Sequence, residues 1–90
     1  MIKKNIDNKM NLEVCSSSIK EIIVSITAEL NNKQLKQLKQ RLNNLNINFF
    51  FLPKTEIWRV TRVDWDDFYN AVIGFAEENG FNVNLTYLRE

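Results

Sequence analysis

Apolar residues recur along this chain with two different periods, and each period predicts one kind of element. Alternation of apolar and polar positions is typical of a strand with one buried face, and spacings of three and four residues are typical of a helix. Alternation runs through 57–63 and 81–87, with a shorter example at 12–15. Helical spacing runs through 32–45 and 65–78. We therefore predict strands at 57–63 and 81–87 and helices at 32–45 and 65–78, while 12–15 shows a short strand-like alternation.

The first predicted helix, 32–45, has a leucine at intervals of three, four and three residues, from Leu35 to Leu45. The second, 65–78, has an aromatic and aliphatic face that includes Phe68 and Phe75. Asp64 precedes it and is expected to cap its first turn. Gly80 follows it and is expected to take the left-handed conformation in which many helices end.

A β-hairpin is predicted between these two helices. Residues 47–52 include three consecutive phenylalanines, and an apolar run of this length is typical of a buried strand. Pro53 follows at a position that suits the second residue of a turn. The alternating segment 57–63 then forms the second strand of the hairpin.

Residues 19–30 have two interpretations. Alternation of Ile22, Val24 and Ile26 and a high density of β-branched residues favour a strand. Helical spacing is also present, and Ser18 with Glu21 matches the capping-box pattern of a helix start. We favour the strand and retain the helix as the alternative.

The predicted fold is α+β, with a small antiparallel sheet and two helices on one face. Residues 1–11 are expected to form a flexible arm, and residues 12–90 a single domain in the ferredoxin-like order βαββαβ. If 19–30 is helical, 12–15 becomes the first strand and the order becomes βααββαβ. The aromatic and aliphatic core is expected to include Phe68, Val72, Phe75, Phe81, Val83 and Leu85.

Composition argues against catalysis. The 90 residues include no histidine, two glycines and a single cysteine, Cys15. Without histidine, no Ser-His or Cys-His pair can form, and a zinc site lacks its usual ligands. Glycine-rich phosphate loops need more glycines than this chain has. We therefore expect a non-enzymatic chain without metal or cofactor.

A cytoplasmic location without membrane contact is expected, because no apolar run approaches the about 20 residues of a membrane span. Cys15 cannot form an internal disulfide, which agrees with a reducing compartment. The net charge of +1 does not indicate a nucleic-acid-binding protein by itself.

Our first hypothesis is a protein-binding module of the inhibitor, antitoxin, immunity or accessory type. It would contact a protein partner, or a second copy of itself, through the sheet face or the acidic second helix. The candidate contact residues are Asp66, Asp67, Glu77, Glu78 and Trp58. Trp58 has two registers, one on the open side of the sheet and one in the core, and the core is favoured. Asp64, Asp66 and Asp67 resemble a magnesium site in composition, but capping and dipole charges explain them better.

The second hypothesis is a nucleic-acid-binding domain that uses the first helix and the strand 57–63. No acidic residue interrupts the helix between its first lysine and its arginine, so this segment is locally basic. The candidate phosphate-binding residues are Lys33, Lys36, Lys39, Arg41, Arg59 and Arg62. Gly74, in the middle of a helix, has two readings: sequence drift, or the close approach of another backbone.

Overall fold

The fold is that of a computed structural model, which describes residues 8–87. Five strands and two helices follow one another in the order ββαββαβ within this range. They are β1 (Lys9–Ser17), β2 (Glu21–Thr27), α1 (Asn32–Asn44), β3 (Phe49–Leu52), β4 (Ile57–Thr61), α2 (Trp65–Asn79) and β5 (Asn82–Tyr87). A 3-10 turn, Arg62–Asp64, connects β4 to α2.

The strands form one mixed sheet in the order β3-β4-β2-β1-β5. The pairs β3–β4, β4–β2 and β2–β1 are antiparallel, and β1–β5 is parallel. The prediction of an α+β fold is confirmed, but its antiparallel ferredoxin-like order is wrong. β1 lies between β2 and β5, where a ferredoxin-like sheet would pair those two strands directly.

The N-terminal strand is longer than the sequence pattern indicates. The predicted arm covers residues 1–11. Residues 1–7 lie outside the described residues, and residues 9–11 belong to β1. The alternation of Met10, Leu12 and Val14 buries one face of this strand. A β-bulge between Val14 and Ser16 then shifts the register with β2, which obscures the strand's end in the sequence.

The predicted strand within 19–30 is confirmed as β2, and the helical alternative, with its order βααββαβ, is wrong. The Ser18 side chain forms the β1–β2 turn instead of a helix cap. Its Oγ accepts hydrogen bonds from the backbone N–H groups of Lys20, at 3.2 Å, and Glu21, at 3.1 Å. Serine makes the same kind of contact in turns and at helix starts, so the capping-box pattern is ambiguous.

The hairpin and both helices are confirmed within a few residues. The backbone N–H of Thr55 donates to the carbonyl of Leu52 at 3.1 Å, so Pro53 occupies the second position of the turn. Gly80 ends α2 with a φ of 78°. Strand β4 ends at Thr61, because residues 62–64 form the 3-10 turn.

Asp64 occupies the N-cap position of α2, as predicted, but its side chain does not form the cap. Its carboxylate makes no hydrogen bond to the helix. Asp64 Oδ2 instead accepts hydrogen bonds from the backbone N–H of Asn48, at 2.9 Å, and from Thr61 Oγ1, at 3.0 Å. The side chain therefore connects the entry of β3 to the exit of β4.

Both helices pack on one face of the sheet and enclose a continuous apolar core. Trp58 contacts Phe51, Phe49 and Phe68 with ring centroids 4.5, 5.5 and 6.0 Å apart. The buried members are Met10, Leu12, Val14, Ile22, Val24, Ile26, Leu38, Leu42, Ile47, Trp58, Val60, Phe68, Ala71, Val72, Phe75 and Ala76. Of the predicted core, Phe68, Val72 and Phe75 are buried. Phe81, which precedes β5, is half-buried, and so are Val83 and Leu85 in β5, which is an edge strand.

Gly74 lies where α1 approaches α2. The guanidinium of Arg41 extends over it and pairs with Glu78, with Nη2 2.5 Å from Oε1. A Cβ at position 74 would lie 3.0 Å from Arg41 Nη1. The close approach is therefore made by a side chain of the same chain, and not by another backbone.

We expect Gly74→Ala to raise the free energy of unfolding by about 0.5 kcal/mol, as measured by urea denaturation. Alanine removes a helix penalty of about 1 kcal/mol, and displacement of the flexible Arg41 tip offsets part of this gain. In an Arg41→Ala background the gain should rise towards about 1 kcal/mol, because nothing then opposes the added methyl group.

The matched control is Gly80→Ala. A Cβ there meets no atom within 4 Å, but the φ of 78° is unfavourable for alanine. This variant should lower the free energy of unfolding by about 1 kcal/mol. If Gly74→Ala were as destabilising as Gly80→Ala, the Arg41 contact would be rigid and not adjustable.

Candidate binding surface

One face of the sheet carries no helix, and we call it the open face. Its residues alternate with the buried ones in every strand, as the burial patterns show. They are Lys9, Asn11 and Glu13 in β1, Glu21, Ile23, Ser25 and Thr27 in β2, Phe50 and Leu52 in β3, Ile57, Arg59 and Thr61 in β4, and Asn82, Asn84 and Thr86 in β5.

Four apolar side chains gather at the β3–β4–β2 end of the open face. We call Ile23, Phe50, Leu52 and Ile57 the open-face patch. Phe50 and Ile23 both lie opposite Arg59 in the pairing of the strands, and Leu52 lies opposite Ile57. Phe50 is 57% exposed. The β1–β5 end of the same face is polar, with Asn84 Nδ2 donating to Asn11 Oδ1 at 3.2 Å.

An ion pair lies within the open-face patch. Arg59 donates from Nε to Glu21 Oε1 at 3.2 Å, and from Nη2 to Oε1 and Oε2 at 3.0 and 3.1 Å. The side chains are 48% and 35% exposed, respectively. This forked geometry holds the guanidinium in one orientation between β4 and β2. A depression of about 330 Å³ beside the pair is lined by Glu21, Asn48, Phe49, Phe50, Arg59, Val60 and Thr61.

Trp58 is not available as a contact residue. Its side chain is 2% exposed and lies at the centre of the aromatic cluster. The favoured core register is therefore the one that forms. With Trp58 inside, Ile57 and Arg59 must face the opposite side of the sheet.

The acidic candidates separate into two pairs at the ends of α2. Asp66 and Asp67 lie in the first turn, and Glu77 and Glu78 lie in the last. A separation of eleven residues corresponds to about 16 Å along a helix. All four side chains are exposed, but Glu78 is paired with Arg41. Of these four carboxylates, Asp66, Asp67 and Glu77 have no ion-pair partner among residues 8–87, and the three do not converge on one point.

The basic candidates do not form one surface. Lys33 and Lys36 are exposed on α1, and neither has an ion-pair partner among residues 8–87. Lys39 Nζ lies 4.7 Å from the centroid of the Phe51 ring. Arg41 faces α2, whereas Arg59 lies on the other side of the sheet from both helices.

Arg62 connects two turns at one end of the sheet. Its Nη1 donates to Ser17 Oγ at 2.6 Å and to the Ser18 carbonyl at 3.0 Å. The adjacent turn residues Ile19 and Val63 are both 89% exposed. Both residues lie outside the open-face patch, and they provide controls for it.

The described residues offer no evident catalytic arrangement. No group of three or more His, Cys, Asp or Glu side chains within 8–87 is placed to hold a metal ion. No polar or charged residue in this range is buried. Within the same range, no helix combines the length and the apolar character that crossing a membrane requires.

No protein-family model, curated protein or solved structure matches this chain. Its function must therefore be inferred from the side chains on its surface. The open-face patch brings four apolar side chains together on the helix-free face of the sheet, with Phe50 the most exposed of them.

The open-face patch was missed by the sequence analysis, although a signal for it exists. In a strand, neighbouring side chains point to opposite faces, so a run of apolar residues must place some of them away from the core. Ile23 lies in such a run in β2, and Phe50 in another in β3. These runs indicate a sheet with apolar residues on both faces.

Charge reversals on α2 should affect stability with opposite signs at its two ends. We expect Asp66→Lys to lower the free energy of unfolding by about 0.5–1 kcal/mol, because it replaces an anion with a cation at the positive end of the helix dipole. Glu77→Lys should raise it by about 0.3–1 kcal/mol for the converse reason. Thermal unfolding at low ionic strength measures both, and 0.5 M salt should reduce both differences. Equal effects at the two ends would mean that the dipole does not control these sites.

Proposed function

We propose that this chain is a non-enzymatic protein-binding domain of the inhibitor or accessory type, and that the open-face patch is its main contact surface. The observation that carries this proposal is the exposure of Phe50 beside Ile23, Leu52 and Ile57 on the helix-free side of the sheet. A domain normally buries each apolar sheet face against another layer.

The composition of the patch supports a protein partner. An aromatic residue and an arginine at the centre of an apolar cluster are the residue types that contribute most to protein interfaces. The Arg59 guanidinium is already held by Glu21, so little side-chain freedom is lost when a partner contacts it. The surrounding polar residues can form the rim of such an interface.

The absence of histidine supports a non-enzymatic role, as does the separation of the carboxylates on α2. Catalysis by a pair of carboxylates requires both groups beside one substrate bond, within about 10 Å of each other. The acidic ends of α2 are better suited to a secondary contact with a basic partner, and Asp66, Asp67 and Glu77 are the residues that would provide it. Their charge would accelerate association more than it would strengthen binding.

The test is affinity capture with the tagged chain as bait, in nuclease-treated lysate of the source cell. We expect the wild-type chain to retain a protein, and we expect Phe50→Glu to lower the affinity for that protein at least about tenfold. Even if the new carboxylate pairs with Arg59 opposite it, the loss of the buried phenyl ring and the desolvation of the added charge readily cost the about 1.4 kcal/mol that this factor represents. Circular dichroism should show that the variant is folded, since the side chain is 57% exposed.

The matched control is Val63→Glu, which introduces the same charge at an apolar residue that is 89% exposed and lies outside the patch. This variant should retain the same protein. Loss of the protein with Val63→Glu but not with Phe50→Glu would refute the role of the open-face patch and direct attention to the turn end of the sheet.

Nucleic-acid binding is the alternative, and the unpaired Lys33 and Lys36 on α1 favour it. The opposite placement of Arg59 reduces the available basic surface to α1. Under this alternative, nuclease treatment removes the retained material, and Lys33→Glu with Lys36→Glu abolishes its capture. The affinity for DNA or RNA would also fall steeply with salt.

A further inference from the structure

We propose that the partner on the open-face patch is a second copy of this chain, packed face to face about a two-fold axis. This inference rests on the proposed function, because it identifies the occupant of the same surface. It depends on three properties of the open face: its net charge, the arrangement of its ion pair, and its extent.

The open face is electrically neutral. Its strand residues include two cations, Lys9 and Arg59, and two anions, Glu13 and Glu21. Two copies can therefore approach through this face without a net repulsion. The helical side differs, since α1 has four cations and no acid, and α2 has four acids and no cation. Like helices of two copies would repel each other.

The ion pair is self-complementary under two-fold rotation. Arg59 and Glu21 lie diagonally on neighbouring strands, since Arg59 pairs with Ile23, two residues after Glu21. A two-fold axis parallel to the sheet and at right angles to the line between them places each Arg59 over the Glu21 of the other copy. Each carboxylate then lies between two guanidiniums, which partly offsets the desolvation of the pair. The same patch meets itself, as an isologous interface requires.

The surrounding apolar residues give this arrangement its attraction. Ile23 and Phe50 flank Arg59, and Leu52 and Ile57 lie in the next row across the strands. Five strands about 4.8 Å apart and about six residues long cover roughly 24 by 20 Å. Two such faces enclose about 960 Å² in total, which is less than the about 1,200 Å² of stable interfaces and falls among weak, transient ones. We therefore expect a weak dimer that dissociates on dilution through the micromolar range.

Pairing through the edge of β3 is a less suitable way to join two copies. The strand has only four residues, and Lys39 lies over the Phe51 ring beside this edge. Short strands and lysines near an edge are common protections against edge pairing. In a two-fold edge dimer, the two Lys39 side chains would also lie on the same side of the joined sheet and repel each other.

The experiment is a charge exchange followed by analytical ultracentrifugation at about 5–200 µM, a range that brackets the micromolar dissociation constant expected of a weak dimer. Arg59→Glu gives a face with two acids at the pair, and Glu21→Arg gives a face with two cations. Each variant alone should dimerise at least about tenfold more weakly than the wild type. An equimolar mixture should recover dimers, because the charges are then complementary between copies.

Recovery in the mixture is specific to a face-to-face contact, since a general loss of folding would not be repaired by mixing. Phe50→Glu should also be monomeric, and Val63→Glu should dimerise like the wild type. A wild type that stays monomeric at about 200 µM, far above a micromolar dissociation constant, would overturn the dimer. So would a wild-type dimer whose charge variants are not rescued by mixing.

These outcomes separate the dimer from the broader function. A monomeric chain that loses a captured protein with Phe50→Glu would keep the open-face patch as a binding site and refute only its self-association. A dimer with no captured protein would support the second copy as the partner. A monomer that captures nothing, or captures equally with Phe50→Glu, would refute both.

Discussion

The arrangement of this molecule depends on β1, which pairs along both of its edges. It is antiparallel to β2 and parallel to β5, so it joins an antiparallel unit to the last strand of the chain. Without β1, β5 would have no hydrogen-bonding partner in the sheet as it stands. The side chains of Met10, Leu12 and Val14 also form part of the floor on which the helices pack. One strand thus determines both the order of the sheet and much of its buried face.

The two helices pack side by side in opposite directions, and this arrangement compensates side-chain charges that are unfavourable at the ends of their own helices. Lys33 lies near the positive end of α1, and Glu78 lies near the negative end of α2, so each charge is unfavourable within its own helix. Gln34 Nε2 donates to Asn79 Oδ1 at 3.3 Å, which shows that these two ends are neighbours. Each charge therefore lies close to a neighbouring helix end of the sign that it favours. Gly74 provides the space in which Arg41 completes this contact with Glu78.

Much of the fold could be predicted from local patterns, because the helices and the hairpin are defined by residues close together in sequence. The leucine spacing of α1, Pro53 in the hairpin and Gly80 after α2 were sufficient for those elements. The position of β1 was not predictable in this way. It depends on pairing with β5, whose residues follow some seventy positions later, as in the pair Leu12 and Leu85. The bulge after Val14 further obscured the alternation.

The candidate site was less predictable than the fold, for a related reason. Trp58 and Asp66 were chosen as candidates because of their residue types. A binding surface, however, is defined by which residues of several strands share one face of the sheet. Phe50, Arg59 and Ile23 belong to three strands, and only the register brings them into one row. The core register of Trp58 determines which residues of β4 lie on the open face, because it turns Ile57 and Arg59 towards that side.

The parallel pairing of the first described strand with the last has a consequence for synthesis on the ribosome. When β1, β2 and α1 have emerged, the edge of β1 that will receive β5 still has no strand beside it. That edge stays open until residues 82–87 leave the exit tunnel, at the end of the described chain. Contacts between distant parts of a chain also form slowly. The nascent chain therefore cannot complete its sheet until β5 has left the exit tunnel, and until then the free edge of β1 must be protected from association with other unfinished chains.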